Sequence, residues 1–463
     1  MKWKTVLLLL LTVSGLATAQ QRSEWFLKNH PYLISINPAE RPSFKGFFTI
    51  PALGNVNVSA LSSSVTLSQL ESNGDYTLND ETVEVMANKA KKNNLLMVET
   101  AIPILGMGFS VGQNYFTLTG KTRVESFNQY NKDLFALRYG LEKYWNSASN
   151  QNYNIETSIS MIGFHELAAG FNGPIGEKIV VGARLKYLKG IASIQANELN
   201  MKVKRTGNTI QIMPNSMMRT SIPTTITENE EGTIEDIEFG DASVNDLLNP
   251  SNNGWGIDVG ITYQMTPKLT VGASITDLGK INWKQNITRY TLNKEFSFSE
   301  EMVDNGNSEE EYDEEGGDYW EELRSTFMEN MDYQENAGRY STSLNTKINV
   351  TAQYEVNKQI SAGVLGSMHH FSDQWWPSVS LGGNVHPARW LEASLYYTAA
   401  YKTMDNLGLG FNFNLGNLNL FVASDNILAA FNYKNANYLT TRFGINLLFG
   451  RNKPTTKETT LEE

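Results

Sequence analysis

The sequence predicts an all-β protein, a closed antiparallel transmembrane β-barrel of about 14 strands with an N-terminal plug segment and long extracellular loops. Two observations carry this prediction. From Leu95 onward, stretches of about ten residues alternate apolar with small or polar side chains, as in strands with one face in lipid. The mature sequence also lacks a stretch long and apolar enough for a transmembrane helix, and a membrane protein without one must close into a barrel.

Residues 1–19 are predicted to be a secretory signal peptide. Lys2 and Lys4 precede the apolar run Val6 to Leu11, and the small-residue site Ala17-Thr18-Ala19 follows. The run is well short of the roughly twenty residues that a retained membrane anchor needs. We therefore expect the mature chain to begin at Gln20 or Gln21 and the protein to reach the cell outer membrane.

The composition favours strands and turns over helices. The chain has 36 Gly, 20 Tyr, 21 Phe and 9 Trp, and only 19% of its residues are charged. It has no cysteine, which excludes cysteine lipid anchors, disulfides and thiolate metal sites. The formal charge of −11 is concentrated between Glu300 and Glu335, where fifteen acidic residues accompany one Arg. The remainder is close to neutral, so a basic nucleic-acid-binding surface is not predicted.

The clearest alternation lies near the C-terminus. Leu407, Leu409 and Phe411 alternate with Gly408 and Gly410, so that one face suits lipid and the other a polar interior. A soluble antiparallel sandwich also alternates in this way. The barrel is favoured because several apolar faces end in aromatic residues, as an interfacial girdle requires: Trp390, Tyr397, Tyr401 and Phe449.

Fourteen strands are predicted by counting back from the C-terminus. They lie near 54–65, 95–112, 114–128, 155–172, 178–192, 254–265, 268–279, 344–356, 359–371, 378–386, 390–401, 405–415, 418–426 and 438–450. Tight turns are predicted at every second connection, near Gly112-Gln113-Asn114, Gly173 to Glu177, Thr266-Pro267, Asn357-Lys358, Pro387-Ala388 and Gly416-Asn417. An even strand number leaves both termini on the periplasmic side, as single-chain bacterial barrels require.

The other connections face outward in this arrangement, and the longest span about 193–253 and 280–343. Such lengths are typical of functional loops or of disorder. The acidic residues 300–335 are interpreted as a solvated loop, with calcium binding through their carboxylates as the alternative. Helical spacing also predicts a helix from Asp133 to Trp145, packed at the barrel rim.

The two ends of the mature chain are expected to lie outside the strands. Residues 20–53 are too apolar for a free tail, since they include Trp25, Phe26 and Tyr32, and we expect them to form a periplasmic or plug segment tucked into the barrel. The barrel is placed at 54–450. The polar residues 451–463 are expected to form a disordered tail.

Motifs for catalysis and cofactor binding are not predicted. The run from Gly108 to Gly112 matches G-x-S-x-G, but that pattern acts only at a strand-to-helix elbow, and here another strand follows. The five histidines show no H-E-x-x-H spacing, and His369 and His370 point to opposite faces of one strand. No phosphate loop or dinucleotide fingerprint occurs. We therefore expect no enzyme activity, no metal and no cofactor.

One group of charges is a candidate site in the barrel lumen. If the hairpin turns near Gly173 to Glu177, Glu166 lies opposite Arg184, and both face inward with Lys186 by strand parity. Charges inside a barrel are costly unless they are paired or wet. We interpret the group as a structural ion pair that fixes the register and fills space, with ligand binding as the alternative.

Three short segments resemble a known family. They are Ile36-Asn37-Pro38-Ala39, the run Gly182 to Gly190, and Asp277-Leu278-Gly279 with Ile281 and Trp283. On these segments the mature chain resembles an uncharacterised outer-membrane β-barrel family of Bacteroidetes, a domain of unknown function. Asn-Pro-Ala near the start and the fourteen strands are also similar to the long-chain fatty acid transporter superfamily. That similarity implies an N-terminal hatch inside the barrel, but the transporters' ligand-binding residues have no identified counterpart here.

These inferences lead to two functional hypotheses. The first is a passive outer-membrane channel or transporter for hydrophobic or amphiphilic small molecules, closed by the N-terminal plug. The second is an interaction protein whose long outer loops dock a secreted or surface protein. The predicted partners are accordingly outer-membrane lipid together with a small molecule or a protein, and not nucleic acid.

Overall fold

The computed structural model describes the chain over residues 22–69, 71–72, 75–76, 80–137, 152–206, 209–230, 232–239, 250–299, 324–371, 374–400 and 403–451. The predicted signal peptide, the acidic residues 300–323, the second half of the predicted rim helix and the tail beyond 451 lie outside these ranges. Among the described residues, no helix combines the length and the apolarity needed to cross a bilayer.

Antiparallel strands dominate the described residues. The strands are β1 (Phe44–Thr49), β2 (Val56–Ser62), β3 (Glu71–Ser72), β4 (Asp75–Tyr76), β5 (Asn94–Val111), β6 (Asn114–Tyr130), β7 (Asn152–Ile175), β8 (Ile179–Thr206), β9 (Thr209–Ser221), β10 (Thr224–Glu228), β11 (Ile234–Phe239), β12 (Asn252–Thr266), β13 (Leu269–Trp283), β14 (Ile287–Leu292), β15 (Phe296–Ser299), β16 (Asp332–Glu335), β17 (Tyr340–Ser343), β18 (Lys347–Glu355), β19 (Ile360–Phe371), β20 (Gln374–Ala388), β21 (Leu391–Ala400), β22 (Thr403–Leu415), β23 (Leu418–Ser424) and β24 (Tyr438–Arg451). The helices are α1 (Arg22–Phe26), α2 (Asp80–Lys89) and α3 (Ile427–Phe431), with 3₁₀ turns at Pro31–Ser35, Leu67–Gln69, Lys132–Leu137 and Tyr433–Asn435 and a helical stretch at 324–329.

The strands close into one barrel with fourteen antiparallel positions. The order around the wall is β1 with β2, then β5, β6, β7, β8, β12, β13, β17 with β18, and β19 to β24. β1 and β2 share the first position, because both pair with β5 on one side and with β24 on the other. The last strand therefore returns to the first, which leaves the wall without a free edge. This confirms the predicted closed 14-stranded barrel.

The wall begins earlier than the predicted first strand at 54–65. The strand starts at Phe44, is interrupted after Thr49 and resumes at Val56. Ala52, within the interruption, has a φ of 62°, a left-handed conformation that a β-strand does not adopt. Pro51 therefore marks a break inside the first strand, and the segment before the wall is shorter than the predicted 20–53.

Tight turns join six strand pairs at one end of the barrel, here called the tight-turn end. The pairs are β5–β6, β7–β8, β12–β13, β18–β19, β20–β21 and β22–β23. Four turns fall at the predicted positions. The β7–β8 turn lies at 176–178, later than the predicted Gly173 to Glu177, and Ala388 pairs with Leu391, which moves the turn from Pro387-Ala388 to the next two residues. Phe44 pairs with Arg451, so the first and last strands also meet at this end.

The opposite, outer end carries more β-structure than the sequence predicts. The predicted connections 193–253 and 280–343 contain β9 to β11 and β14 to β17, and β9 extends the sheet from β8 to β14 and β15. Ile155, Ile212 and Phe296 form a separate apolar core in this lobe. Near it, residues Lys132–Leu137 form a 3₁₀ helix in place of the first half of the predicted α-helix.

A belt of exposed apolar side chains surrounds the wall. It includes Phe109, Leu167, Leu185, Trp255, Ile257, Val350, Val379, Leu381 and Leu395, whose exposed fractions lie between 39% and 61%. The same strands turn Ser, Thr, Asn and charged side chains inward, where they are buried. An apolar outside and a polar inside are the reverse of a soluble protein and match a wall that faces lipid. The girdle residues Trp390, Tyr397 and Phe449 are exposed as well, while Tyr401 lies outside the described residues.

Candidate functional site in the lumen

Residues 24–40, here called the N-terminal segment, contact inward-facing residues of the wall toward the tight-turn end. Trp25, Phe26 and Ile36 are at most 3% exposed and pack against Leu365 and Tyr396 of the wall. The Phe26 and Tyr396 rings stack with their centroids 4.6 Å apart. The segment therefore has its own apolar contact with β19 and β21, which explains why this stretch is rich in aromatic residues.

His30 organises the turn in the middle of the N-terminal segment. Its Nδ1 accepts a hydrogen bond from the Tyr32 N–H at 3.2 Å and caps the 3₁₀ turn that Pro31 begins. Its Nε2 lies 2.8 Å from the Glu24 carbonyl oxygen. Burial lowers the pKa of the His30 imidazole despite the nearby Glu24, so the neutral ring is favoured and Nε2–H donates to that carbonyl.

Glu392 of β21 is the main polar anchor of the segment. Its carboxylate accepts hydrogen bonds from the backbone N–H groups of Lys28 at 2.5 Å and Asn29 at 3.1 Å. The Asn384 and Asn412 side chains donate to the same carboxylate at 2.7 Å and 3.1 Å. Because Glu392 is 1% exposed, these donors replace the water that the buried carboxylate loses.

Glycines in the wall make room for the segment. A Cβ placed on Gly182 would overlap the Pro38 carbonyl, one on Gly260 would overlap the Asn37 side chain, and one on Gly363 would overlap the Trp25 ring. Any side chain at these positions would therefore compete with the segment for space.

A layer of buried charges lies directly beyond the segment, toward the outer end. It contains the three predicted residues and three more that the sequence reasoning missed. The six residues, here called the charge layer, are Arg123, Glu166, Arg184, Lys186, Asp258 and Asp277, each at most 4% exposed.

Each carboxylate of the charge layer contacts at least two cations. Asp258 lies 2.9 Å from an Arg184 nitrogen and 2.6 Å from Lys186 Nζ. Lys186 Nζ is 2.5 Å from Asp277, and both nitrogens at the end of Arg123 donate to the two Asp277 oxygens at 2.8 Å and 3.0 Å. One Glu166 carboxylate oxygen accepts a hydrogen bond from the Arg123 guanidinium at 2.8 Å, and the other lies 3.6 Å from an Arg184 guanidinium nitrogen. These three cations and three carboxylates pair with one another, and the ion pairs extend to Glu125 through Arg123, to Lys121 through Glu166 and to Lys347 through Asp277.

The predicted pairing of Glu166 with Arg184 is wrong in register. Glu166 pairs with Leu188 and Arg184 with Gly170, because the hairpin turns nearer to Lys178 than the prediction placed it. The two side chains still meet because both are long and point into the same lumen. All three predicted charges lie in this layer, and their role in binding remains a proposal.

Asp277 was missed because a β-bulge places it inside. The register shifts opposite Asp258, so that Thr276 and Asp277 both turn inward between the exposed Ile275 and Leu278. Asp277 has a φ of 58°, and its N–H donates to Asp258 at 2.7 Å. Strict alternation would have placed one of the two outside. For Arg123 and Asp258 the signal was present, since a charge at an inward strand position indicates the lumen.

The wall is incomplete at one place near the outer end. β23 pairs with β22 and β24 only as far as Ser424, whereas both neighbours continue to Thr403 and Tyr438. α3 covers this opening, here called the wall gap, with Leu428 54% and Phe431 84% exposed. Behind it, the Tyr396 hydroxyl donates to Asp425, so the ring that stacks on Phe26 also contacts the start of the covering segment.

The three sequence segments that carry the family resemblance meet in the lumen. Pro38 lies against Gly182, and Lys186 binds Asp277. The fold and the lumen define a closed, internally filled β-barrel of the transmembrane type. The chain belongs to the Family of unknown function (DUF5723), whose model matches residues 38–425.

Solved barrels of similar extent are distant in sequence. The toluene transporter TodX of Pseudomonas putida is 11% identical with a TM-score of 0.41, covering 91% of this chain and 94% of that chain. A FadL homologue of Pseudomonas aeruginosa is 9% identical with a TM-score of 0.41, covering 94% and 96%. The toluene transporter TbuX of Ralstonia pickettii is 9% identical with a TM-score of 0.34, covering 95% and 100%. The search of curated proteins finds no significant match.

Proposed function

We propose that this chain is a passive outer-membrane channel or transporter for hydrophobic or amphiphilic small molecules, with the N-terminal segment as its plug. The observation that supports the proposal is that residues 24–40, which are not part of the wall, are buried against inward-facing residues of the wall. Residues 24–40 are held by hydrogen bonds to Glu392 and by aromatic packing. These contacts can be released without breaking any ladder of the barrel.

The wall gap supports an apolar or amphiphilic cargo. It is covered by a five-residue helix instead of a strand, and it opens toward the face on which Leu428 and Phe431 are exposed. The stacked pair Phe26 and Tyr396 connects the plug to Asp425 at the edge of this opening. A cargo that leaves the lumen here enters lipid directly through the side of the wall.

The charge layer also disfavours small ions as cargo. Its three cations and three carboxylates are mutually paired, so an ion entering the lumen would have to displace a buried partner. Breaking a buried pair costs several kcal/mol. An uncharged molecule avoids that cost.

Glu392→Gln tests the proposal. The amide retains the size of the side chain but presents an NH₂ group to N–H donors, so the plug should be released more often. We expect cells expressing this variant to take up radiolabelled decanoate and toluene several-fold faster than the wild type, and a gene deletion to take them up more slowly. Glu177→Gln, which changes an exposed carboxylate in the tight turn between β7 and β8, is the matched control. Equal uptake by wild type and deletion would contradict the proposal.

The second candidate function, docking of a secreted or surface protein, is favoured by the outer lobe. β8 runs for 28 residues and carries β9 and β14 well beyond the apolar belt, with a separate apolar core. Pull-down with and without residues 300–335 tests it. A protein retained by the full chain and lost on deletion would favour docking, and identical captures would exclude residues 300–335 as the docking element.

A further inference from the structure

A cleft of about 860 Å³ lies at the outer end of the barrel. The outer ends of β5 and β6 form one side, β7, β8 and β9 form another, and the start of β20 lies opposite. Nine of its nineteen lining residues carry side-chain amides: Asn93, Asn94, Gln129, Asn131, Asn154, Asn197, Asn200, Asn215 and Gln374. The volume falls in the range of ligand sites, about 300–1,000 Å³.

The cleft is polar but nearly uncharged. Its charged lining residues are Glu156, Glu198 and Lys202, and most of the others are amides or hydroxyls. An anionic ligand would need an excess of cations, and an apolar ligand would need apolar walls. An amide both donates and accepts hydrogen bonds, and so does a hydroxyl group. The lining therefore matches a neutral ligand with many hydroxyls.

Several amides in the cleft are held in place by the protein, and others are free. Asn94 Nδ2 donates to the carbonyls of Lys91 at 2.7 Å and Tyr130 at 3.1 Å. Among the described residues, the side chains of Asn197, Asn200 and Asn215 have no protein hydrogen-bond partner, and all three are at least partly exposed. The cleft thus combines amides that the protein holds in place with exposed amides whose donors and acceptors can bind a ligand.

Two aromatic residues lie at the edge of the cleft, Tyr130 partly exposed and Trp376 6% exposed. The Trp376 ring stacks on Phe371 at 5.0 Å with an interplanar angle of 3°, and the Tyr130 hydroxyl is hydrogen bonded to Ser64 at 2.8 Å. These contacts fix both rings, and the Tyr130 ring is the one with surface available to a ligand. A sugar ring presents an apolar C–H face between its hydroxyls, which packs against such an aromatic surface.

An extended peptide fits the same lining less well. Peptides that bind barrels or sheets usually pair with a free strand edge. The strands that line the cleft are already paired with one another, with Tyr130 opposite Thr157 and Asn200 opposite Asn215. Backbone recognition is therefore not available on these strands, whereas side-chain recognition is.

We infer that this cleft is a binding site for a neutral oligosaccharide. The site is separate from the plug, Glu392 and the charge layer, so the inference goes beyond the proposed transport function and does not depend on it. The ligand is recognised by side-chain amides from β5 to β9 and by the partly exposed Tyr130 ring.

The test is binding of a panel of neutral oligosaccharides built from glucose, galactose, mannose and N-acetylglucosamine to the full chain. The protein is held in a detergent without a sugar headgroup, and binding is measured by calorimetry. We expect at least one panel member to bind. The triple variant Asn197→Ala, Asn200→Ala, Asn215→Ala should raise its Kd at least tenfold, because several hydrogen bonds to the ligand are lost together.

The matched control is the double variant Gln359→Ala, Asn417→Ala, which removes exposed amides at the tight-turn end and should leave the Kd unchanged. The electrophoretic mobility of the unheated barrel verifies that each variant is folded. Failure of every panel member to bind at millimolar concentration would overturn the inference. It would also be overturned by a Kd that the triple variant leaves unchanged, or by tighter binding of an asparagine-rich peptide than of any sugar.

Discussion

At the residue scale, the charge layer shows how a barrel lumen can hold six ionised side chains at little cost. Asp258 accepts from Arg184, from Lys186 and from the backbone N–H of Asp277, so its desolvation is offset by three donors. Arg184 also donates to Thr119 at 3.0 Å. Each residue of the charge layer contacts at least two residues of opposite charge. Removal of any one of the six therefore deprives at least two buried charges of an ion-pair partner.

We therefore expect Asp258→Ala to lower the free energy of unfolding by about 3–5 kcal/mol, the usual cost of breaking a buried pair. Asp332→Ala is the control. Asp332 also forms an ion pair, with Lys294 at 2.7 Å, but both side chains are more than half exposed, so the expected loss is at most about 1 kcal/mol. Urea unfolding in lipid vesicles measures the free energy of unfolding of both variants. Equal losses would show that the charge layer does not stabilise the barrel.

At the element scale, the N-terminal segment and the wall are fitted to each other. Gly182 of β8 lies against the Pro38 backbone, and Asn37 donates to the Ile261 carbonyl of β12 at 3.2 Å. The segment thus contacts the adjacent strands β8 and β12 as well as β19 and β21 farther round the wall. Its position is set by backbone approach as well as by side-chain packing.

Gly182→Ala should displace the segment, since the new methyl group would overlap the Pro38 carbonyl. The chain has no cysteine, so Ser35→Cys provides a single thiol within the segment. We expect Gly182→Ala to accelerate maleimide labelling of that thiol about fivefold or more, because overpacking costs about 1–3 kcal/mol. Gly256→Ala on β12 is the control, as its methyl group would meet Leu344 at an ordinary 3.4 Å. The idea fails if both variants label at the wild-type rate.

Strands that face lipid were predicted more accurately than elements that do not. β22 to β24 were predicted closely because Leu409, Phe411 and Val422 alternate with inward Gly and Asn. The outer strands β9 and β14 lie beyond the belt, and their apolar residues, such as Ile210, Ile212 and Leu292, pack on other protein, so they lack a lipid-facing apolar side. The segment's burial was predictable from its aromatics, but Glu392 gave no local sign that it binds a stretch more than 360 residues away. Pairings over such separations depend on register, which a single strand does not specify.

For the whole molecule, the distribution of polarity determines where the protein resides. Apolar side chains cover the outside of the wall at the level of Leu381, and buried polar side chains such as Ser380 and Thr398 lie inside at the same level. Folding alone does not bury the belt. A bilayer therefore completes the burial of apolar surface that in a soluble protein the core would provide.

The stability lost on placing a charge in the belt should then depend on how deep the substituted residue lies in the bilayer. We expect Leu381→Arg, near the middle of β20, to reduce the stability of the inserted barrel by about 2–4 kcal/mol. Val356→Arg, at the tight-turn end, should cost about 0–1 kcal/mol although Val356 is also exposed. Folding titrations in vesicles compare the two. A similar cost at both positions would contradict the assigned belt.

The shortness of β23 has a mechanical consequence. Around most of the cylinder, separating two neighbouring strands means rupturing a long row of backbone hydrogen bonds. Between the outer parts of β22 and β24, the described residues are joined through α3 by few bonds, such as that from Asn426 Nδ2 to the Tyr438 carbonyl at 2.9 Å. Thermal distortion of a closed shell concentrates where its stiffness is lowest. The amide protons of residues 425–437 should accordingly exchange with solvent faster than those of any ladder around them.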